Sequence, residues 1–323
     1  MTQQSPKKAA VRSKKSTYFA ALAALRPRQW TKNLVVFVAP LFAFSINRQS
    51  FLGGSLALVL FCCTSSAFYL LNDIVDVKSD QRHPVKCKRP IAAGLVSIPA
   101  ALVMAVVLLS GALIVGWQRG PTLGAILMSY AMLQVAYNLK LKRTVILDIL
   151  AIATGFVLRA CAGAAATGLM VSSWFLLCTA MLALFLGIEK RKAEVRLSEI
   201  QDIKPRSVLK YYSLPLLTRM ESTVTTGAVM SYALWSSGPA FGGASIPWML
   251  LTLPFVLYGI FRYQLLSDPP PMGRRNGSGG EQGGKTEGPE EVLLKDLPIL
   301  LTVVSWVITC FAILWLKHQG VIE

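Results

Sequence analysis

The stretch Asn72-Asp73-Ile74-Val75-Asp76-Val77-Lys78-Ser79-Asp80 decides how this chain is read. It follows an apolar run, Phe51 to Leu71, that reaches the roughly 20 residues needed to cross a bilayer. Three carboxylates therefore stand where a membrane helix meets water. On one continuous helix, at about 100° per residue, Asp73, Asp76 and Asp80 fall at about 0°, 300° and 340°, a single face. Like charges on one face repel unless a cation lies between them. Hard oxygen ligands at a polar helix end suit Mg²⁺, which bridges carboxylates to substrate phosphates. Arg82, His83, Lys86, Lys88 and Arg89 follow at once, so metal-type ligands adjoin phosphate-type ligands. A merely solvated helix end would scatter its acids instead.

Working outward, the 323 residues are 54% hydrophobic, too apolar for an ordinary soluble domain. The formal charge of +17 would suggest nucleic acid on a soluble protein. Here the basic residues sit in short loops between apolar runs, which points to a membrane surface and anionic substrates and away from nucleic acid. Nine spans are expected, near 30–48, 51–72, 96–117, 121–139, 146–167, 170–188, 219–237, 246–265 and 297–316. The first has a short apolar core and carries Pro40. Of the 33 Lys and Arg residues, 29 fall on one side of this arrangement and 3 on the other, with Arg159 inside a span. The positive-inside rule then makes the N-terminus cytoplasmic. Residues 1–25 read as a basic, disordered tail, residues 26–323 as one transmembrane domain, and residues 268–290 as a flexible cytoplasmic loop before the last helix. The six cysteines lack metal-ligand spacing and read as small apolar residues. Walker, GxGxxG, HExxH and GxSxG motifs are absent, as is the acidic strand-to-loop pattern of soluble phosphoribosyltransferases.

The remaining polar groups inside or beside spans lie at the same cytoplasmic level or just below it. Lys86 and Arg89 are candidates for phosphate. Span four ends in Tyr137 and Lys142, and span five opens with Asp148. Asp148 and Arg159, eleven residues apart, share a helix face that lines the interior, in either a buried interhelical ion pair or a substrate site. An arginine in a membrane costs roughly 2.5 kcal/mol or more and faces a polar interior. Span six ends in Glu189-Lys190-Arg191-Lys192-Ala193-Glu194, where Lys190 and Arg191 could each pair with Glu194. Before span one, Arg26-Pro27-Arg28-Gln29-Trp30-Thr31-Lys32-Asn33 sets Gln29, Lys32 and Asn33 on a possible polar face.

Asn-Asp-x-x-Asp-x-x-x-Asp at the end of the second of nine helices resembles the UbiA superfamily of intramembrane prenyltransferases. That likeness implies an all-α bundle around a cytoplasm-facing polar cavity, with the first motif holding Mg²⁺ on a diphosphate. Ordinary members carry a second Asp-rich motif on the sixth helix, where this chain has Lys190, Arg191 and Glu194. Together with Arg26, Pro27, Gln29, Trp30, Lys32 and Asn33, this resembles the decaprenyl-phosphate phosphoribosyltransferase branch. The resemblance implies Mg²⁺-dependent transfer from 5-phosphoribosyl diphosphate to a polyprenyl phosphate at a bacterial inner membrane. Asp73, Asp76 and Asp80 would hold the metal, with Asn72 in support. Lys190, Arg191 and Lys86 would clamp phosphates, and Gln29, Lys32 and Asn33 would hold the ribose phosphate or the acceptor. An aromatic or quinone prenyltransferase of the same superfamily and a non-catalytic transporter or lipid-binding protein are the rival readings.

Overall fold

A computed structural model describes residues 18–43, 47–83, 85–201, 208–267 and 296–322. Every regular element among them is helical, as bilayers require of spanning segments that are not barrels. Residues 18–24 form α1. A 3₁₀ helix, Pro27–Phe37, runs into the short α2, Val38–Phe42. Then come α3 (Arg48–Val75), α4 (Val77–Gln81), α5 (Ile98–Arg119), α6 (Pro121–Leu139), α7 (Leu147–Thr167), α8 (Ser173–Gln201), α9 (Leu214–Ser236), α10 (Leu253–Ser267, continuing a 3₁₀ turn from Pro247) and α11 (Leu297–His318).

Seven helices among the described residues are long and apolar enough to span a membrane. Two of the nine expected spans are not among them. The region of the first, 30–48, is a 3₁₀ stretch and a five-residue helix. The region of the seventh falls in α9, a 23-residue helix whose first turns carry Arg219 and Glu221 and so dilute its apolar content. The tail expected to be disordered to residue 25 is helical over 18–24, and Ala20 and Ala24 are buried beside Leu70, Ile91 and Ala101. The loop expected at 268–290 lies outside the described residues.

Helix α7 is the central post, packed against α3, α6 and α8 and against the 3₁₀ helix, while α8 runs along α9 and α3 along α5. Small residues allow the close approaches, as bilayer packing favours. A Cβ on Gly163 of α7 would overlap the backbone of Val36, and one on Gly53 of α3 would sit 2.5 Å from the Ala166 carbonyl oxygen. Outward faces stay apolar and exposed, as with Val103, Val106 and Val107 of α5. That suits a lipid solvent, in which apolar surface need not be hidden. This is a multi-pass membrane protein.

Candidate functional site

The acidic motif does not continue as one helix. Helix α3 ends at Val75, and Asp76 (φ −89°, ψ 3°) is both its C-cap and the N-cap of α4. Asp73 and Asp80, on either side of this break, are buried, while Asp76 is half-buried. The cation between the two buried carboxylates is a guanidinium: Arg89 donates from one nitrogen to Asp73 (3.2 Å) and to Asp80 (2.6 Å). Arg26 reaches the same Asp73 oxygen at 2.5 Å and lies 5.0 Å above the Tyr69 ring. The expectation of three carboxylates on one unbroken helix is thereby corrected, since the helix is interrupted at Asp76. No trio of His, Cys, Asp or Glu side chains among the described residues comes together as a metal cage. Two hard-oxygen carboxylates nonetheless fit magnesium, which takes one or two protein carboxylates and completes its shell with water and substrate phosphates.

Beside this acidic end lies a polar cavity of about 230 Å³ between α3, α6, α7, α8 and the 3₁₀ helix. Its charged lining residues are Lys32, Arg159 and Lys190, with no carboxylate among them. Ser65, Tyr69, Asn72, Tyr130, Gln134 and Tyr137 supply neutral polar groups. Arg159 is buried, and every group it binds is neutral. Its Nε donates to Asn33 Oδ1 (2.8 Å), one terminal nitrogen to the Gly155 carbonyl (2.7 Å) and the other to Tyr130 Oη (2.8 Å). The rings of Tyr130, Phe156 and Phe61 surround the guanidinium at 4.8, 5.3 and 5.7 Å.

The basic segment on α8 divides three ways, because successive residues on a helix point about 100° apart. Lys190 faces the polar cavity. Arg191 turns to α7, where its Nε donates to Asp148 at 2.7 Å and its terminal nitrogen pairs with Glu194. Lys192 turns to α9, where it pairs with Glu221, and it also lies 3.0 Å from Glu189 of its own helix. Gln264 of α10 completes that cluster by donating to Glu221 at 2.7 Å. Asp148 also accepts from Tyr212 Oη at 2.7 Å, and Tyr212 Oη in turn accepts from the Ile146 backbone at 2.7 Å. Burial and the bond to Asp148 raise the Tyr212 hydroxyl pKa well above the usual tyrosine value. Ile146 has φ +70°, a strained conformation for a β-branched residue, and this bond pins it.

Of the expected site residues, Lys32, Asn72, Tyr137, Arg159 and Lys190 line the polar cavity, and Asn33 holds Arg159 in place. Asp73, Asp80 and Arg89 form the acidic end next to it. Asp148 and Arg159 share a helix but not a contact. Arg191 joins Asp148 to Glu194, so the buried interhelical ion pair weighed for Asp148 is made with α8, and the expected Arg191–Glu194 pair is present. Gln29, Lys86 and Lys142 are half-buried and are not among the cavity's lining. Arg26, Ser65, Tyr69, Tyr130 and Gln134 were not singled out for the site. A signal for four of them exists: Ser65, Tyr69 and Asn72 on α3, and Tyr130, Gln134 and Tyr137 on α6, each follow an i, i+4, i+7 polar stripe in an otherwise apolar helix.

A second cavity, of about 370 Å³, is apolar and lies between α2, α8, α9, α10 and α11, with Phe42, Phe175, Trp235, Phe255 and Trp306 in its wall. Phe156 and Leu186 line both cavities. A cationic chamber therefore adjoins an apolar one across two side chains.

Fold and site together define a helical membrane protein in which a cavity lined by cations adjoins an apolar one. Residues 17–275 match the UbiA prenyltransferase family, and the chain belongs to that family. It is 36% identical over 293 residues to a decaprenyl-phosphate phosphoribosyltransferase of Corynebacterium glutamicum, across 88% of this chain and 83% of that protein. A protein of the same name from Mycolicibacterium smegmatis is 33% identical over 305 residues, across 90% of this chain and 91% of the relative. Among solved structures, a UbiA homologue from Archaeoglobus fulgidus bound to GPP and Mg²⁺ has the same fold, with a TM-score of 0.67 at 17% identity, covering 91% of this chain and 98% of that one.

Proposed function

We propose that this protein transfers a 5-phosphoribosyl group from 5-phosphoribosyl diphosphate to a polyprenyl phosphate, releasing diphosphate, at the cytoplasmic face of a bacterial plasma membrane. The observation that carries this reading is the cavity wall with three cations and no carboxylate, set against two buried carboxylates. A donor with a diphosphate and a separate 5-phosphate, meeting a phosphorylated acceptor, brings more negative charge than one metal site neutralises. The relatives named for this activity along most of the chain support the same substrates, and the Lys and Arg excess on one side supports the orientation.

In the proposed reaction an acceptor phosphate oxygen forms a bond to the anomeric carbon. The bond from that carbon to the diphosphate breaks, and its electron pair leaves with the diphosphate. A phosphate monoester is anionic at neutral pH, so no strong base is needed. Asp73 and Asp80 would hold magnesium, with Asp76 and Asn72 at the helix end beside them. When bound, the metal supplies charge neutralisation on the departing group. Arg26 and Arg89 hold those carboxylates in position, and Lys32 and Lys190 face phosphates. The alternative of an aromatic acceptor is less well served by a chamber with three cations.

The test is diphosphate release by purified protein from 5-phosphoribosyl diphosphate, with and without polyprenyl phosphate, before and after EDTA. Release that needs the lipid phosphate, stops with EDTA and returns with Mg²⁺ is expected. Turnover only with an allylic diphosphate and an aromatic acceptor would overturn the proposal.

A further inference from the structure

We propose that Arg159 is the residue that reads the phosphate of the lipid acceptor, at the junction of the two cavities, and that the donor occupies the opposite, acidic end. This inference rests on the transferase reading and assigns the two substrates to the two ends of the site.

Four observations carry it. First, the guanidinium has five N–H donors, and its three bonds to protein all go to neutral acceptors. Two donors and a full positive charge remain for an anion, and arginine suits planar, bidentate recognition of phosphate. Second, the site is built around this side chain. Gly155 leaves room where a Cβ would stand 3.3 Å from the arginine's terminal nitrogen, and Asn33 and Tyr130 fix its orientation from two other elements. Third, Arg159 lies twelve residues into α7, roughly 18 Å along the helix axis. That places it well below the level at which a water-soluble donor meets Asp73 and Asp80. Fourth, Phe156 packs against the guanidinium and also lines the apolar cavity. An anion held by Arg159 can run its hydrocarbon tail past Phe156 and Leu186 without crossing polar wall. 5-Phosphoribosyl diphosphate has no apolar part to place there, whereas a polyprenyl phosphate has little else.

Binding to the whole protein in detergent tests this without turnover. Farnesyl phosphate and farnesol, a matched pair differing by the phosphate, are titrated by calorimetry in the absence of donor. Wild-type protein is expected to prefer the phosphate by about tenfold or more. Arg159→Gln is expected to erase that preference while leaving the dissociation constant for 5-phosphoribosyl diphosphate within about twofold. Gly155→Ala, a smaller change that crowds the guanidinium without removing it, is expected to raise KM for polyprenyl phosphate several-fold and leave KM for the donor unchanged. The inference is overturned if Arg159→Gln weakens the donor as much as the acceptor, or if the phosphate preference survives in both variants. Wild-type turnover, measured first, keeps this outcome separate from a failure of the transferase reading itself.

Discussion

Arg159 and Arg191 are both arginines buried in helices of a membrane protein, twelve residues into α7 and ten residues before the end of α8. The structure treats them in opposite ways. Arg191 meets two carboxylates, Asp148 and Glu194, so its charge is cancelled within the protein and it ties α8 to α7. Arg159 meets an amide oxygen, a backbone carbonyl and a phenol, so its hydrogen bonds are partly met but its charge is not. A buried charge without a counter-charge is costly. The protein sustains that cost where a ligand can supply the missing anion. The same contrast divides the acids: Asp148 is enclosed by its partners, whereas Asp73 and Asp80 share Arg89, and Asp73 also binds Arg26, arginines whose side chains keep 29% of their surface exposed.

The largest expected effect comes from breaking the enclosed pair. Asp148→Ala leaves Arg191 and Tyr212 facing an empty site and should destabilise the fold by about 3–5 kcal/mol, read as a large drop in Tm in detergent. Arg159→Gln removes an uncompensated charge, so its Tm should move far less. Equal drops in the two variants would break the contrast.

Asp73→Ala should behave as the mirror image, lowering turnover by about a hundredfold or more with little change in Tm. Near-normal turnover would remove Asp73 from the metal assignment. A smaller change sharpens the structural half. Tyr212→Phe keeps the ring but leaves the Ile146 N–H and one Asp148 oxygen without a partner, which should cost about 1–3 kcal/mol and leave KM for both substrates unchanged.

The smallest effect tests a pair at the surface. Burial pushes the Asp296 carboxyl up, but bonds from Arg262 and the Ile299 backbone outweigh this and hold its pKa below the usual value. A depressed carboxylate contributes stability that is present above its unfolded pKa and is lost as pH falls through its folded value. Asp296→Asn should therefore lower Tm slightly at neutral pH, leave the acid extreme almost unaffected, and so flatten the acid limb of a Tm-against-pH profile. A change as large as that of Asp148→Ala would show that exposure does not govern these pairs.

Most of the fold and part of the site were legible in the sequence. Apolar run lengths, the Lys and Arg asymmetry and the acidic motif depend on local composition, which a linear reading captures. Helical periodicity also placed Arg159 toward a polar interior. It misled at Asp76, because the angular argument assumes an unbroken helix. It set Asp148 on the same inward face as Arg159, roughly 16 Å away along the helix, but could not name the residue on another helix that pairs with it. The true partner of Asp148 comes from α8.

By itself, the sequence determined that this chain is a helical membrane protein of the UbiA kind with acidic and basic motifs at its helix ends, since hydropathy, charge placement and motif spacing are properties of the chain. Only the tertiary structure decided which cations are tied to carboxylates of other helices and which line the polar cavity. In a segment with Lys190, Arg191 and Lys192 in a row, one faces the cavity and two are paired with acids from other helices. Charge compensation depends on distances between helices, and neighbouring residues in the sequence do not reveal those distances.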